Sequence, residues 1–287
     1  MIVVEPVGGL GNQLFIYGLG LATSRRLAVP LVADISRIEH DTKRNLELSS
    51  FSNSLAVIES RGFSPGGLGF HSHRILRSKL GGPGQHRNFY YETYEGFDPR
   101  FLEIPDGSRL RGYFQSWRYV ESVETQLRSE LWNVIHPSVW FEEQKTRLTS
   151  MGDWLGVHVR IGDYKELPGM PVSEIYYKRA LDLQSRLAGT EQIIVFSDEI
   201  EVAKGLSVWR QFPNVTFFDS PAEASPLETM LLMSLASHLV IANSTFSWWA
   251  AWIGTGEHRR IVFPRPWGNT VYENRDLAPP EWIGLGR

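Results

Sequence analysis

Residues 242–252 read Ala-Asn-Ser-Thr-Phe-Ser-Trp-Trp-Ala-Ala-Trp, and this stretch decides the fold. The apolar segment before it, His238–Ile241, predicts a buried β-strand. Small hydrogen-bonding residues follow that strand directly, and an aromatic segment compatible with a helix follows them. A strand that runs into Asn, Ser and Thr at a helix start presents hydroxyl and backbone N–H groups to a ligand such as phosphate. The alternative is a capped core helix filled with Trp.

One such junction is weak evidence for a ligand, because helix caps are common and anion sites are not. Three further stretches of the chain favour the ligand-binding interpretation. The candidate substrate-binding residues at this junction are Asn243, Ser244, Thr245, Phe246 and Ser247.

The composition is typical of a globular protein. The chain has 287 residues, of which 42% are hydrophobic and 21% charged, and this length suits one large domain or two ordinary ones. The net charge of −3 provides no basic field for nucleic acid. The lack of cysteine excludes disulfides and thiolate metal sites. No run of about 18 apolar residues occurs, so we expect no membrane span.

The pattern predicts α/β structure in both halves of the chain. Ile2–Val4, a glycine-rich turn, the amphipathic run Leu14–Leu27 and Pro30–Asp34 form a β–α–β beginning. The alternation restarts at Trp154–Arg160. We therefore predict two Rossmann-like domains that face a central cleft. They are an N-terminal one over 1–150 and a C-terminal one over 151–287, whose last residues pack back on the first.

Within the first predicted domain, residues 61–87 are rich in Gly and Pro, which is typical of loop. Residues 71–87 hold several basic side chains and no acidic one. This patch could contact a membrane face or an anionic acceptor, and a solvated loop is the interpretation that its composition favours.

The glycine-rich turn is a candidate binding loop. Glycines let the backbone approach a ligand, and the helix that follows directs its N-terminus at the same place. The turn lacks the third glycine of the dinucleotide signature, so a purely structural turn is an equal alternative. The candidate residues here are Gly9, Gly11, Asn12 and Gln13.

His158 and Arg160 are the second cluster. Residues two apart in a strand share a face, so both side chains point the same way near the strand end. The guanidinium of Arg160 offers a planar fork of donors for phosphate, and His158 can hydrogen-bond a base or ribose. A surface ion pair between Arg160 and Asp163 is the alternative.

Asp198 and Glu199 follow a third strand. Two adjacent carboxylates could accept hydrogen bonds from guanine, but the spacing favours a cap for the helix that begins near Ile200. No Asp-x-Asp triplet and no cluster at metal-ligand spacing occurs. If a diphosphate binds, Arg160 and helix N-termini must supply the positive potential.

Together these stretches resemble glycosyltransferase family 11, the α-1,2-fucosyltransferases. The resemblance covers most of the chain in order and spacing, and the long Trp-containing motif is highly specific. The motifs are G-G-L-G-N-Q-L-F at Gly8–Phe15, G-Y-F-Q-S at Gly112–Ser116, H-V-R-x-G-D-Y at His158–Tyr164, F-S-D-E at Phe196–Glu199, A-N-S-T-F-S-W-W-A-A-W at Ala242–Trp252 and P-x-x-W at Pro264–Trp267.

The resemblance implies a GT-B fold, GDP-L-fucose as donor, a β-galactoside-terminated glycan as acceptor, inversion, and no cofactor or metal. It implies that Arg160 holds the β-phosphate. His158 and the Asp198/Glu199 pair would contact guanosine, and Ser244, Thr245 and Ser247 would hold phosphate oxygens. Asn12 and the turn at Gly9–Gly11 would close on the diphosphate. One departure is Ile161, where the family usually has a second Arg. The resemblance also implies a cytoplasmic bacterial enzyme, with peripheral membrane contact possible.

The expected reaction is a single displacement at C1 of fucose, with the leaving diphosphate stabilised electrostatically. Asp163 is the first candidate for the general base, and Glu166 and Glu5 remain open. Three alternatives stay in view: a transferase that uses another nucleotide-sugar, an NAD-dependent oxidoreductase built on the glycine turn, and a non-catalytic carbohydrate-binding protein with exposed Trp. The acceptor glycan is not readable from the sequence.

Overall fold

The structure is a computed structural model that describes residues 1–48, 56–58, 89–93, 95–133, 136–189, 192–268 and 274–287. The chain divides into two compact units. The first comprises Met1–Val134 with Arg275–Ala278, and the second Ile135–Asn274 with Pro279–Arg287. The basic patch predicted at 71–87 lies outside the described residues.

The first unit is built on a parallel sheet in the order β3-β2-β1-β5-β4. Its strands are Ile2–Val4 (β1), Leu31–Asp34 (β2), Ala56–Ile58 (β3), Phe89–Tyr91 (β4) and Arg109–Arg111 (β5). Its α-helices are Leu10–Leu27 (α1) and Glu124–Asn133 (α2), with short 3₁₀ helices at Pro99–Glu103, Trp117–Tyr119 and Glu121–Val123. The helix α1 is buried on all sides over residues 13–24, because it packs on the sheet and also on the 3₁₀ helices that follow β5. The run predicted from the sequence to be amphipathic is therefore a core helix.

The second unit holds a parallel sheet in the order β11-β10-β9-β6-β7-β8. Its strands are Leu155–Val159 (β6), Ile193–Ser197 (β7), Val215–Phe217 (β8), His238–Val240 (β9), Ile261–Arg265 (β10) and Ile283–Gly286 (β11). Its α-helices are Val139–Ser150 (α3), Glu174–Ala188 (α4), Ile200–Lys204 (α5), Pro226–Ser234 (α6) and Thr245–Ile253 (α7), with 3₁₀ helices at Asp163–Glu166 and Ser207–Gln211. This strand order is that of a doubly wound Rossmann sheet. The α/β fold class predicted from the sequence is confirmed.

Tryptophans of α7 form the centre of an aromatic cluster in the second unit. The ring of Trp248 stacks on Trp252 at a centroid distance of 6.1 Å and lies 5.5 Å from Trp282. Each of the ten Trp in the chain is buried or half-buried. They therefore serve mainly as packing, and the carbohydrate-binding alternative loses the exposed Trp on which it rested.

The division between the units comes before α3, whereas the sequence placed it after residue 150. Ser138 caps α3, and its N–H and hydroxyl both donate to the buried carboxylate of Glu228 in α6, at 2.7 and 3.0 Å. This contact joins α3 to the second unit. Glu228 stands three residues after Ser225, which is the spacing of a capping box, yet it binds Ser138 instead of turning back to the backbone of its own helix. Of the two bonds in a capping box, only the one to the hydroxyl of Ser225 is present, and this hydroxyl accepts from the N–H of Leu227 at 3.3 Å.

Candidate functional site

The carboxyl ends of β6 and β9 are neighbours at the switch point of the second sheet. β6 has β7 on one side and β9 on the other, so the chain winds outward in both directions from here. Arg160 follows β6, and the polar residues from Asn243 precede and begin α7 after β9. Open α/β sheets bind ligands in the crevice at such a point. Two of the clusters predicted from the sequence therefore come to one edge of the sheet.

The guanidinium of Arg160 lies between two carboxylates. Its Nη2 donates to Oδ1 of Asp163 at 2.5 Å, and its Nη1 lies 3.0 Å from Oδ2 of Asp198. The ring of Tyr164 lies beneath it, with Cζ 5.3 Å from the ring centroid. The side chain is 20% exposed, and its buried Nε has no hydrogen-bond partner within the described part of the chain. The ion pair with Asp163 is thus present, together with a spare donor that suits an anion.

His158 is a neutral, buried neighbour of this site. It is 4% exposed, and its ring lies 5.8 Å from that of Phe246 in α7. Burial, and then the charge of Arg160, lower the pKa of His158 to about 3. Its buried Nδ1 has no partner among the residues that the structure describes. A neutral imidazole can offer one donor and one acceptor to a ligand.

Asp198 and Glu199 do not cap α5, although the spacing favoured a cap. The Oδ1 of Asp198 accepts from the backbone N–H of Ile161 at 2.9 Å, and its Oδ2 binds Arg160. Glu199 pairs with Lys165, and no side chain caps α5. The capping interpretation is wrong because both carboxylates reach across to the segment that follows β6. The contact with guanosine stays a prediction.

The segment after β9 presents some of its predicted ligands and buries others. Asn243 donates through Nδ2 to the carbonyl of Met170 at 2.9 Å, and its buried Oδ1 has no partner in the described ranges. Thr245 and Phe246 are half-buried at the start of α7. Ser247 is fully buried, and its hydroxyl donates to the carbonyl of Ser244 at 3.1 Å.

The hydroxyl of Ser247 is therefore bound to a backbone carbonyl at the start of its own helix and is not turned outward. The side chain of Ser244, the N-cap residue, makes no capping bond to its own helix. Of the three predicted phosphate-binding residues, Thr245 is half-buried, whereas Ser244 is 6% exposed and Ser247 is fully buried.

In the first unit the glycine turn opens α1. Gly8 has a φ of +75°, a left-handed conformation that suits glycine, and Gly9 is the N-cap without a side-chain capping bond. Gly11 is buried in the first turn. Gln13 is fully buried, with Nε2 donating to the carbonyls of Gly8 and Asn45 at 2.8 Å each, and Oε1 accepting from a backbone N–H at 2.9 Å. Gln13 thus braces the turn, and its amide is occupied within the protein.

A buried charge cluster lies at the same edge of the first sheet. Glu5 is 3% exposed and forms a bidentate pair with Arg111, each N–O distance being 2.8 Å. Arg37 and Arg109 each lie 3.6 Å from it. These contacts engage the carboxylate from several sides and disfavour Glu5 as a general base.

Several contributors were not singled out from the sequence. Gly162 leaves no room for a side chain, since an added Cβ would overlap Oδ2 of Asp198. The hydroxyl of Tyr164 donates to the carbonyl of Asn243 at 3.0 Å and ties the two segments together. Gln115 donates to Asn12 at 3.0 Å. Gly162, Tyr164 and Gln115 all lie inside the motifs that carry the family resemblance. Membership of those motifs is the sequence signal that could have identified them.

Ile161 occupies the position next to Arg160 where a second cation was expected. Its side chain packs against the hydrophobic core of the second unit. The residue that follows Arg160 in the chain is therefore apolar and adds no second positive charge beside it.

Two features are absent from the residues that the structure describes, a metal-binding cluster and a membrane-spanning helix. No three His, Asp or Glu side chains there form a group that could hold a metal ion. None of the described helices has the length and hydropathy that a bilayer crossing requires.

Comparison with protein families gives one match. The model of Glycosyl transferase family 11 matches residues 84–286, which include the second unit's switch point and the G-Y-F-Q-S motif of the first unit.

Two bacterial relatives are similar along almost their whole length. The O-antigen biosynthesis glycosyltransferase WbnK of Escherichia coli is 29% identical over 97% of this chain and 98% of its own. An alpha-1,2-colitosyltransferase of Escherichia coli is 24% identical over 99% of both chains. The human galactoside alpha-(1,2)-fucosyltransferase 1 is 25% identical over 62% of this chain and 52% of its own.

Among solved structures, the fucosyltransferase NodZ from Bradyrhizobium has a similar fold. The TM-score is 0.51 at 15% sequence identity, covering 88% of this chain and 93% of NodZ. This likeness concerns the fold.

Proposed function

The chain belongs to glycosyl transferase family 11, and from that premise we propose that it transfers L-fucose from GDP-L-fucose to the 2-hydroxyl of a β-galactosyl acceptor. The transfer inverts the anomeric carbon and uses no metal. Two relatives whose names give α-1,2 transfer support the linkage.

The observation that carries the proposal is the placement of Arg160. Its guanidinium lies at the switch point of the second sheet, beside the start of α7, with a buried Nε that has no partner in the described ranges. A nucleotide diphosphate leaves with negative charge, and a fixed guanidinium beside helix N–H groups stabilises that charge where it develops. The neutral His158 lies on the same edge and supplies hydrogen bonding without adding charge.

The mechanism we propose is a single displacement. The acceptor hydroxyl attacks C1 of fucose from the face opposite the diphosphate, the C1–O bond to the β-phosphate breaks, and the electron pair leaves with GDP. A general base takes the acceptor proton and adds about 10²–10⁴-fold. Asp163, whose side chain is 47% exposed, remains the first candidate, with Glu166 as the exposed alternative.

A phosphate oxygen that binds Arg160 competes with Asp163 for the same guanidinium. Asp198 is held on the N–H of Ile161 at 2.9 Å and its side chain is 24% exposed, whereas that of Asp163 is 47% exposed. Because the more exposed carboxylate is the easier one to displace into solvent, we assign Asp163 as the carboxylate that gives way when GDP-fucose binds, which makes it available to the acceptor.

The transferred sugar has one specific competitor. The relative at 24% identity over 99% of both chains is named for colitose, an L-fucose without the 3-hydroxyl. Colitosyl transfer is therefore the second candidate function, and the donor must be tested directly.

The deciding experiment incubates the protein with lactose and, in separate reactions, GDP-L-fucose, GDP-colitose, GDP-mannose and UDP-galactose, all in EDTA. We expect release of GDP from GDP-L-fucose and a product whose new bond is α-1,2 to galactose, by mass spectrometry and NMR. Release from GDP-colitose alone would replace the donor assignment. Activity that requires added Mg²⁺ would contradict the metal-independent mechanism.

Binding separates this enzyme from its rivals. GDP should raise the thermal midpoint by linkage, whereas NADH should not. A protein that responds to lactose and ignores GDP would be the carbohydrate-binding alternative.

A further inference from the structure

The side chain of Asn12 lies over the glycine turn. It is half-buried in the first turn of α1, and a Cβ added at Gly8 would lie 2.6 Å from its Nδ2. An asparagine amide has a donor end and an acceptor end, so its effect on a ligand depends on which end faces outward. A neighbouring group must therefore hold the side-chain amide of Asn12 in one of its two orientations.

Gln115 fixes that orientation. Its Nε2 donates to Oδ1 of Asn12 at 3.0 Å, although the two residues lie on different segments, one after β5 and the other in α1. Because the acceptor end of Asn12 is bound to Gln115, the donor end, Nδ2, remains on the side of Gly8. The turn thereby gains a side-chain donor beside the N-terminus of an 18-residue helix whose first turn carries no acidic residue.

Gln115 is itself held by an unusual backbone turn. Phe114, next to it, has a φ of +53°, which is uncommon for a residue with a large side chain and costs energy. The carboxylate of Glu92 stabilises the turn by accepting from the N–H groups of Tyr113 and Phe114 at 2.9 Å each. Gly112 allows this approach, since an added Cβ there would overlap the side chain of Glu92. Strained backbone supported in this way is typical of functional sites.

We propose that Gln115 is a positioning residue for the donor substrate. It orients the amide of Asn12 so that Nδ2 presents a hydrogen bond to the diphosphate at the glycine turn, and Glu92 fixes Gln115 in turn. This inference rests on the proposed use of GDP-L-fucose. It adds a residue to the donor site that touches no substrate and acts only through Asn12.

The test uses side chains that can only donate or only accept. Lys in place of Gln115 can still donate to Oδ1 of Asn12, whereas Glu can only accept and therefore turns the Asn12 amide around. We expect Gln115→Lys to keep the KM for GDP-L-fucose within about threefold, and Gln115→Glu and Gln115→Met to raise it about tenfold, the factor of one hydrogen bond. The KM for lactose and the thermal midpoint should stay unchanged.

The same substitutions are repeated in an Asn12→Ala background. If Gln115 acts through Asn12, they have no further effect there, because the amide to be oriented is gone. Multiplicative losses in that background would overturn the proposal, as would a wild-type KM for Gln115→Met. Gln126→Lys and Gln126→Glu, on α2 of the same unit, control for the change in charge.

Failure of this inference is distinguishable from failure of the proposed function. If wild-type protein transfers no fucose and ignores GDP, the function is wrong before any variant is compared. If wild-type protein is active but the Gln115 substitutions raise the KM equally with and without Asn12→Ala, only the role assigned to Gln115 is wrong. Should Gln115→Met not fold, the comparison of Lys with Glu decides by itself.

Discussion

Asp198 binds both the side chain of Arg160 and the backbone beside it. Its Oδ2 lies 3.0 Å from Nη1 of Arg160, and its Oδ1 accepts from the next backbone N–H at 2.9 Å. Asp198 comes from the end of β7, so a neighbouring strand sets the direction of the guanidinium. Arg160 is thereby pre-organised, and less freedom is lost when an anion binds it.

Arg160→Ala should abolish transfer while leaving the fold intact. The variant removes the charge that faces the leaving diphosphate, which should raise the barrier by on the order of 3 kcal/mol or more. The measurement is kcat/KM for GDP-L-fucose, with circular dichroism to verify the fold. Arg147→Ala removes a guanidinium from the same unit on an exposed helix end and is the matched control. Near-normal turnover in Arg160→Ala would remove the basis of the proposed mechanism.

Gly162→Ala should impair catalysis without removing any charged group. An added Cβ would overlap Oδ2 of Asp198, the oxygen that binds Arg160. We expect the carboxylate to be displaced and kcat/KM to fall by about tenfold, as for loss of one charge-assisted hydrogen bond. Gly205→Ala is the control, because its Cβ would meet only a carbonyl oxygen at 3.3 Å. Equal activities of the two variants would show that the position of Asp198 is unimportant.

The fold and most site positions could be predicted because their signals are local. Strand composition, glycine turns and helix starts each depend on a few adjacent residues, and they gave the α/β class and the two polar strand ends. The specific junction at Ala242–Trp252 and the other motifs gave the family, which the family model confirms. The structure adds the strand order that makes β6 and β9 neighbours.

The errors arose where a side chain chooses a partner distant in sequence. Asp198 and Glu228 each stand at cap spacing, yet one binds the segment after β6 and the other binds Ser138. Local sequence propensity does not predict these partners, because the contacts exist only after the strands and helices have packed. Gln13 is a similar case: its polar side chain looked available, but the loop near Asn45 occupies it.

Asp163→Asn should change affinity and turnover in opposite directions. The variant removes the carboxylate that pairs with Arg160 at 2.5 Å, so GDP no longer competes with it and should bind more tightly, by about threefold for a partly exposed pair. If Asp163 is the general base, kcat falls by about 10²–10⁴-fold. Calorimetry with GDP and steady-state kinetics measure the two effects.

Glu166→Gln is the matched control for the base. Weaker GDP binding in Asp163→Asn would contradict the competition, and a large loss of kcat in Glu166→Gln instead would move the base to that residue.

His158 should make the protein sensitive to acid. Its pKa is lowered to about 3 in the folded state, first by burial and then by Arg160, while the unfolded chain takes up the proton below about 6.5. The contribution of neutral His158 to the stability of the fold is therefore fully present above pH 6.5, and it is lost as the pH falls from 6.5 toward 3. Between pH 7.5 and 5.0 this one group accounts for about 2 kcal/mol of the free energy of unfolding.

His158→Gln should remove that part of the pH dependence, as measured by urea unfolding at the two pH values. His136→Gln, at an exposed position, should leave the slope unchanged. An unaltered slope in His158→Gln would show that His158 is not held neutral.

Arg111→Met should destabilise the first unit by about 3 kcal/mol. It leaves the carboxylate of Glu5, which is 3% exposed, without its bidentate partner at 2.8 Å. This loss of stability is at the low end of the range for a broken buried ion pair, because Arg37 and Arg109 remain 3.6 Å from the carboxylate of Glu5. The double variant Glu5→Gln with Arg111→Met removes the stranded charge and should regain part of the stability in urea unfolding. If it is as unstable as Arg111→Met alone, lost packing of the Arg111 side chain on Phe89 and Tyr91 is the cause instead.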